Sequence, residues 1–233
     1  MTLSALQALG AEFTRCRDMD AALEQRLSGY SEAVRMHLPA YATAVDELVS
    51  RLTAIQAGEA SPRPGEPMPS FALPDENGHI VHLDALLKKG PVAITFHRGH
   101  WCPWCRISAA ALAEVKNEIR RVGSEVIAIL PERQKFALEF KAQTRSPFPV
   151  LTDMDNGYAM SLNLAIWLGD ELQKLLTAFG RSLPTYQGNE TWILPIPATF
   201  VVAKDGIISA RFLDPDFRRR ASVESLLDAL KTA

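Results

Sequence analysis

Apolar residues recur at helical spacing along the first quarter of the chain. Leu3, Leu6, Leu9, Phe13, Cys16, Leu23, Leu27 and Tyr30 fall near a period of about 3.6 residues. A second stripe follows in Val34, Leu38, Tyr41, Val45, Leu48, Leu52 and Ile55. Residues 3–57 are therefore expected to form two amphipathic helices, with Gly29 breaking or bending the run and Pro39 kinking the second segment or marking its true start. Stripes this long must be buried, on the rest of the chain or on another subunit. Cys16 lies on the first stripe and reads as a buried, inert thiol.

The pattern then changes. Gly58 to Ser70 holds four prolines and two glycines, which marks a linker or an extended edge segment. The boundary is placed there, dividing a helical extension, residues 1–58, from a main domain, residues 59–233. Phe71-Ala-Leu-Pro and Ile80-Val-His-Leu flank Asp75-Glu-Asn-Gly-His79 and predict a hairpin, where His79 and His82 need no functional role. Val92–Phe96 and Glu125–Leu130 read as buried strands and Phe148–Leu151 as a short one, while residues 103–122 and 132–143 read as helices. Ala198–Ala203 and Ile207–Phe212 form a second hairpin around Lys204-Asp-Gly206, and Ser222 caps a last helix running to about Leu230. Strands alternating with helices, closed by a hairpin and a helix, give an α/β sandwich with a mixed central sheet. Residues 155–195 fit this plan poorly and are expected to be a helical insertion that covers an active site or packs a dimer.

Composition narrows the function. A formal net charge of -2 gives no reason to expect nucleic acid or an anionic membrane surface. No segment reaches the roughly 18 apolar residues of a membrane span, and residues 1–12 lack a basic segment followed by an apolar core, so the cytoplasm is the expected setting. Three cysteines, Cys16, Cys102 and Cys105, are too few for a disulfide-stapled secreted scaffold.

The candidate chemistry lies in His97-Arg-Gly-His-Trp-Cys-Pro-Trp-Cys105, between a predicted strand and a predicted helix. If Pro103 takes the first helical position, Cys102 is the N-cap, and its sulfur can accept the free N–H groups of Trp104 and Cys105. The helix dipole then favours thiolate over thiol, with Arg98, Arg106 and His100 adding positive charge. On this geometry Cys102 is expected to be the more acidic thiol and Cys105 the resolving one. Two other readings stay open: a chance pair of structural cysteines, and a zinc site from His97, His100, Cys102 and Cys105. Trp101 and Trp104 are expected to wall the thiols with apolar surface or simply to pack in the core. Asp153 and Asp155, and Asp214-Pro-Asp216, read as turns, and Arg218-Arg219-Arg220 as an exposed charge run.

Residues 61–233 resemble the thioredoxin fold and, within it, the AhpC/TSA (peroxiredoxin-like) group. Three motifs carry the resemblance: Pro62-Arg-Pro-Gly-Glu-Pro-Met-Pro-Ser-Phe-Ala-Leu-Pro-Asp, Phe96-His-Arg-Gly-His-Trp-Cys-Pro-Trp-Cys, and Ile196-Pro197-Ala-Thr-Phe-Val-Val-Ala-Lys-Asp-Gly. The likeness implies that Ile196-Pro197 forms a cis-proline loop offering its backbone to substrate beside the nucleophile. Aligned with peroxiredoxins, the attacking cysteine falls on Cys105 and the usual hydroxyl residue on Cys102. The peroxide-binding arginine is missing near Pro197, with Arg98 or Arg181 as substitutes. Aligned with thioredoxin, Cys102 attacks and Cys105 resolves. The resemblance thus implies hydroperoxide reduction through a Cys102/Cys105 redox pair, recycled by thioredoxin, glutaredoxin or glutathione. Disulfide exchange is the alternative, and a non-enzymatic redox sensor or binding module is a third reading. None of these needs a metal or bound cofactor, and the N-terminal helices are candidates for a homodimer contact.

Overall fold

The computed structural model describes residues 3–233, with side chains from Ala5 onward, so the first stripe position, the Leu3 side chain, lies outside the described residues. The N-terminal stripes form three helices rather than two: α1 (Leu3–Arg17), α2 (Leu23–His37) and α3 (Pro39–Ala54). Pro39 begins α3, where its missing N–H is no loss. Gly29 does not break α2; its bare Cα lets the Cys16 sulfur approach, 3.5 Å from where a Cβ would stand.

The hairpin follows as β1 (Ala72–Pro74) and β2 (Ile80–His82), antiparallel around the Asp75 turn, then α4 (Leu83–Leu87) and β3 (Val92–Phe96). The expected helix over 103–122 is two: α5 (Pro103–Glu114) and α6 (Lys116–Arg121). Between them Val115, a β-branched residue, leaves helical geometry at φ -99°, ψ 18°, and the bend keeps Ile119 in the core. Next come β4 (Glu125–Leu130), α7 (Gln134–Thr144) and β5 (Val150–Thr152). Asp153 caps the following short helix, α8 (Gly157–Ser161), by accepting the N–H groups of Tyr158 and Ala159 at 2.8 Å each. The 155–195 segment is not purely helical. Beside α9 (Asp170–Ala178) and α10 (Leu183–Gln187) it carries β6 (Ala165–Trp167) paired antiparallel with β7 (Ile193–Pro195). The chain closes with β8 (Ala198–Val202), β9 (Ile208–Leu213) and α11 (Val223–Lys231), the last capped by Ser222 as expected.

The main sheet has the order β5-β4-β3-β8-β9, with β3, β4 and β5 parallel and β8 and β9 antiparallel. This is a thioredoxin-like mixed sheet flanked by helices. The alternation of side chains sends Val92, Ile94, Phe96, Ile127 and Ile129 to one face, against α4 and α8. Ala93, Val126, Ala128 and Leu130 face the other way, toward α5 and the N-terminal helices. Each such side chain removed from water contributes roughly 1.5–3 kcal/mol, or less for alanine.

The N-terminal helices bury their stripes within the chain. Leu9, Phe13, Leu27, Val45 and Leu48 join the same core as Ile107, Ala111 and Leu172. Arg26 of α2, almost fully buried, holds both oxygens of Glu114 on α5 at 2.8 Å. The proline-rich stretch is the edge alternative rather than a free linker: Gly65 N–H donates to Ile208 C=O at 2.8 Å, and Ile208 N–H donates to Glu66 C=O at 2.9 Å. Among the described residues no helix is long and apolar enough to cross a membrane.

Candidate active site

β3 ends at Phe96, and the buried loop from His97 to Trp101 carries the chain to the thiol helix. The loop is held by Glu132, whose Oε2 accepts the His100 N–H at 2.7 Å and whose Oε1 meets His100 Nδ1 at 2.8 Å. Gly99 makes this possible. At φ +143°, a Cβ there would fall 2.6 Å from both Glu132 Oε1 and Trp101 Nε1. Burial raises the Glu132 carboxyl above its usual range although the His100 ring and backbone N–H pull it down.

Helix α5 starts as its sequence requires. Pro103 holds the first position, and the Cys102 sulfur caps the helix by accepting the Cys105 N–H at 3.3 Å. Both cysteines are fully buried thiols. Their acidities are the reverse of the expectation from the N-cap alone. Burial pushes the Cys102 thiol up, and its neighbour Cys105 pushes it further, to well above the ordinary range. Burial acts on Cys105 too, but the Cys102 thiol, the His97 ring and the Arg220 guanidinium outweigh it and hold Cys105 well below that range. Capping gives Cys102 one N–H, whereas the positive groups gather on Cys105. Arg98 N–H donates to the Cys105 sulfur at 3.4 Å, and Arg220 Nη2 does so at 3.7 Å.

The orientation of His97 follows from a single hydrogen. Thr95 donates its hydroxyl hydrogen to Ile127 C=O at 2.8 Å, so at 3.1 Å its oxygen accepts from His97 Nε2. Nδ1 is then the ring atom without a partner. Nδ1 is thus a free acceptor, and three donors around the thiols are unpartnered as well: Arg98 Nη1, Trp101 Nε1 and Arg220 Nε. Arg98 is buried with its guanidinium over Phe217 (3.7 Å) and Trp101 (5.2 Å). Among the described residues no three His, Cys, Asp or Glu side chains converge as metal ligands.

Trp104 anchors the site to the N-terminal helices: its Nε1 donates to Ser31 Oγ at 2.9 Å, and its ring meets Tyr30 edge-on at 5.1 Å. The Ile196–Pro197 bond is trans, not cis. Ile196 N–H donates to Leu164 C=O at 2.8 Å, which continues the β6–β7 pairing and carries the chain into β8 without a turn. Pro197 shares with Thr199, Arg219 and Arg220 the wall of a cavity of about 310 Å³, and Arg220 is its link to the Cys105 sulfur. The 218–220 run is not an exposed charge cluster. Arg218 is bound by Asp216 (2.8 Å) and Asp46 (2.7 Å), and that pairing aligns the segment that brings Arg220 to the sulfur. Arg220, which the sequence places in a charge run, is the arginine side chain that reaches the Cys105 sulfur, and the lack of an arginine near Pro197 was the signal to look for one elsewhere. Of the two proposed substitutes, Arg98 reaches the sulfur with its backbone N–H, while Arg181 lines a different cavity.

A family model described as "AhpC/TSA family" matches residues 64–211. A putative peroxiredoxin bcp of Coxiella burnetii is 27% identical over 146 residues, covering 63% of this chain and 85% of the relative. The thiol-disulfide oxidoreductase ResA of Bacillus subtilis is 32% identical over 103 residues, covering 44% of this chain and 56% of that protein. Among solved structures, peroxidoxin BcpB from Mycobacterium tuberculosis superposes with a TM-score of 0.56 at 20% identity, covering 73% of this chain and 97% of that one.

Proposed function

The chain belongs to the AhpC/TSA family and is a thiol-dependent oxidoreductase of the peroxiredoxin-like type; from that premise we propose that Cys105 attacks a hydroperoxide and Cys102 resolves it. The observation that carries this reading is the gathering of Arg98 N–H, the Arg220 guanidinium and the His97 ring on one buried sulfur. The thiolate is the nucleophile, and these groups supply it.

The steps balance. Cys105 gives its thiol proton to His97 Nδ1, the free acceptor of that ring; its Sγ then bonds to the outer peroxide oxygen as the O–O bond breaks, and the departing alkoxide or hydroxide takes that proton from Nδ1. The unpartnered N–H groups of Arg98 and Arg220 are suited to the negative charge developing on that oxygen. Cys102 then attacks the Cys105 sulfenic sulfur; an S–S bond forms and water leaves. A dithiol of the thioredoxin or glutaredoxin type, or glutathione, returns two electrons. The cavity beside Pro197 and Arg220 supports entry from that side.

Disulfide exchange is the second reading, favoured by the Trp-Cys-Pro-Trp-Cys spacing and by the similarity to ResA. It needs Cys102 as the attacking thiolate, and burial and Cys105 both hold that thiol protonated. The few cysteines and the dependence on reduced thiols fit the cytoplasm. A homodimer through the N-terminal helices would draw on their outward residues, Met36 and Ile55.

The test is peroxide-dependent NADPH consumption with thioredoxin and its reductase, using hydrogen peroxide and an organic hydroperoxide. Cys105→Ser is expected to lose all turnover. Cys102→Ser is expected to react once and keep a sulfenic acid on Cys105 that dimedone traps. Sulfenic acid on Cys102 in the Cys105→Ser protein, with none on Cys105, would reverse the assignment.

A further inference from the structure

Beside the thiol helix lies a second cavity, about 190 Å³, which shares no lining residue with the one that Arg220 lines. Its floor is apolar, made by Leu9, Phe13 and Val34 of the N-terminal helices and by Leu176 and Phe179 at the end of α9. One wall is the redox segment itself: Trp101, Pro103 and Trp104, the residues flanking Cys102, all line it. An apolar cavity of roughly 150 Å³ holds a benzene molecule, so this one accommodates a phenyl ring or a short alkyl chain.

The charged groups of the lining are of one sign. Arg106 and Arg181 line the cavity, no carboxylate does, and neither arginine forms an ion pair among the described residues. Arg106 sits half-buried over the Phe13 ring at 4.1 Å, and its Nε has no hydrogen-bond partner. A third arginine nearby, Arg17, is already paired with Asp18 at 2.6 Å. A buried donor without an acceptor and two uncompensated guanidinium groups at an apolar hole favour an anion with an apolar body.

We infer that this cavity binds a small aromatic or short-chain aliphatic carboxylate, its body against Trp101 and Trp104 and its carboxylate on Arg106 and Arg181. The occupant rests on the first turn of the thiol helix. The site is assembled from the N-terminal helices, the redox loop and the α9 segment, so most of its floor lies outside the family-matched residues 64–211.

Titration calorimetry of the full-length reduced protein tests this with benzoate and hexanoate, each against its neutral analogue, benzyl alcohol and hexanol. The carboxylates are expected to bind saturably and about tenfold or more tightly than the alcohols. Arg181→Gln, at an exposed position, is expected to weaken the carboxylates by about tenfold and to leave the alcohols unchanged. Val34→Trp, filling the floor, is expected to abolish both. Absence of saturable carboxylate binding, equal affinity for acid and alcohol, or carboxylate binding untouched by Arg181→Gln would each overturn the inference. The readout is binding, so it stands or falls separately from peroxide turnover.

Discussion

Replacing Arg220 with glutamine removes a positive charge while keeping a side chain of similar reach. In the native protein Nη2 lies 3.7 Å from the Cys105 sulfur. Two unit charges at that distance attract by about 4–5 kcal/mol at an effective dielectric near 20. Arg220 is half-buried, so solvent screening lowers this to roughly 1.5–3 kcal/mol. At about 1.4 kcal/mol per pKa unit, the Cys105 thiol is expected to rise by roughly one to two units. The assay is the pH dependence of iodoacetamide alkylation in a Cys102→Ala background, so that the peptide spanning the site carries one thiol and mass spectrometry reports it alone. Arg219→Gln is the control: Arg219 is exposed, faces Asp214 at 3.6 Å, and its loss is expected to leave the midpoint in place. Arg220→Lys, which restores the charge, is expected to recover part of the shift. A change below about 0.3 units in Arg220→Gln, or an equal change in Arg219→Gln, would refute the assignment of Arg220 as a cationic partner of the thiolate.

Two further outcomes follow from the site and the core. Gly99→Ala forces a Cβ to within 2.6 Å of Glu132 and Trp101 at φ +143°, and is expected to cost roughly 2–4 kcal/mol in urea unfolding; a loss under about 0.5 kcal/mol would show that the loop relaxes freely. Burial raises the phenols of Tyr30, Tyr41 and Tyr158 above the ordinary value of about 10. The unfolded chain then releases those protons while the folded one keeps them. Their contribution is complete below about pH 10 and falls as pH climbs beyond it, so urea midpoints should drop there, and by less in Tyr30→Phe.

The sheet was legible because its strands obey simple rules. Val92–Phe96 is apolar but for Thr95 and buried on both faces, and Ser222 caps α11 where the hydroxyl stands before an apolar run. The start of α5 was legible for the same reason, since Pro103 and Cys102 admit little else. The break at Val115 was not, because a β-branched residue is tolerated in many helices and only the packing of Ile119 decides it here. The proposed thiol order differs from the one that the N-cap alone suggests, because a cationic partner that reaches Cys105 lies far from it in sequence. Arg220 is 115 residues from Cys105. Nothing in three consecutive arginines says that Arg218 will be tied to Asp46 and Asp216 and that Arg220 will therefore reach inward. The role of Ser31 was invisible likewise, since a serine on a polar helix face carries no sign that it will meet an indole 73 residues away.

The hydrogen bond between Trp104 and Ser31 sets a limit on modularity. The family-matched segment, residues 64–211, contains the indole but neither the hydroxyl that satisfies it nor the Tyr30 ring that flanks it. A relative's segment grafted into this chain would have to present a donor at position 104 to the same serine, or leave a half-buried hydroxyl without that donor and a mismatched aromatic face at the first turn of the thiol helix. The unit that packs together is thus larger than the family-matched segment, and substitutions in α2 and in the thiol helix should be read as coupled changes in a single interface.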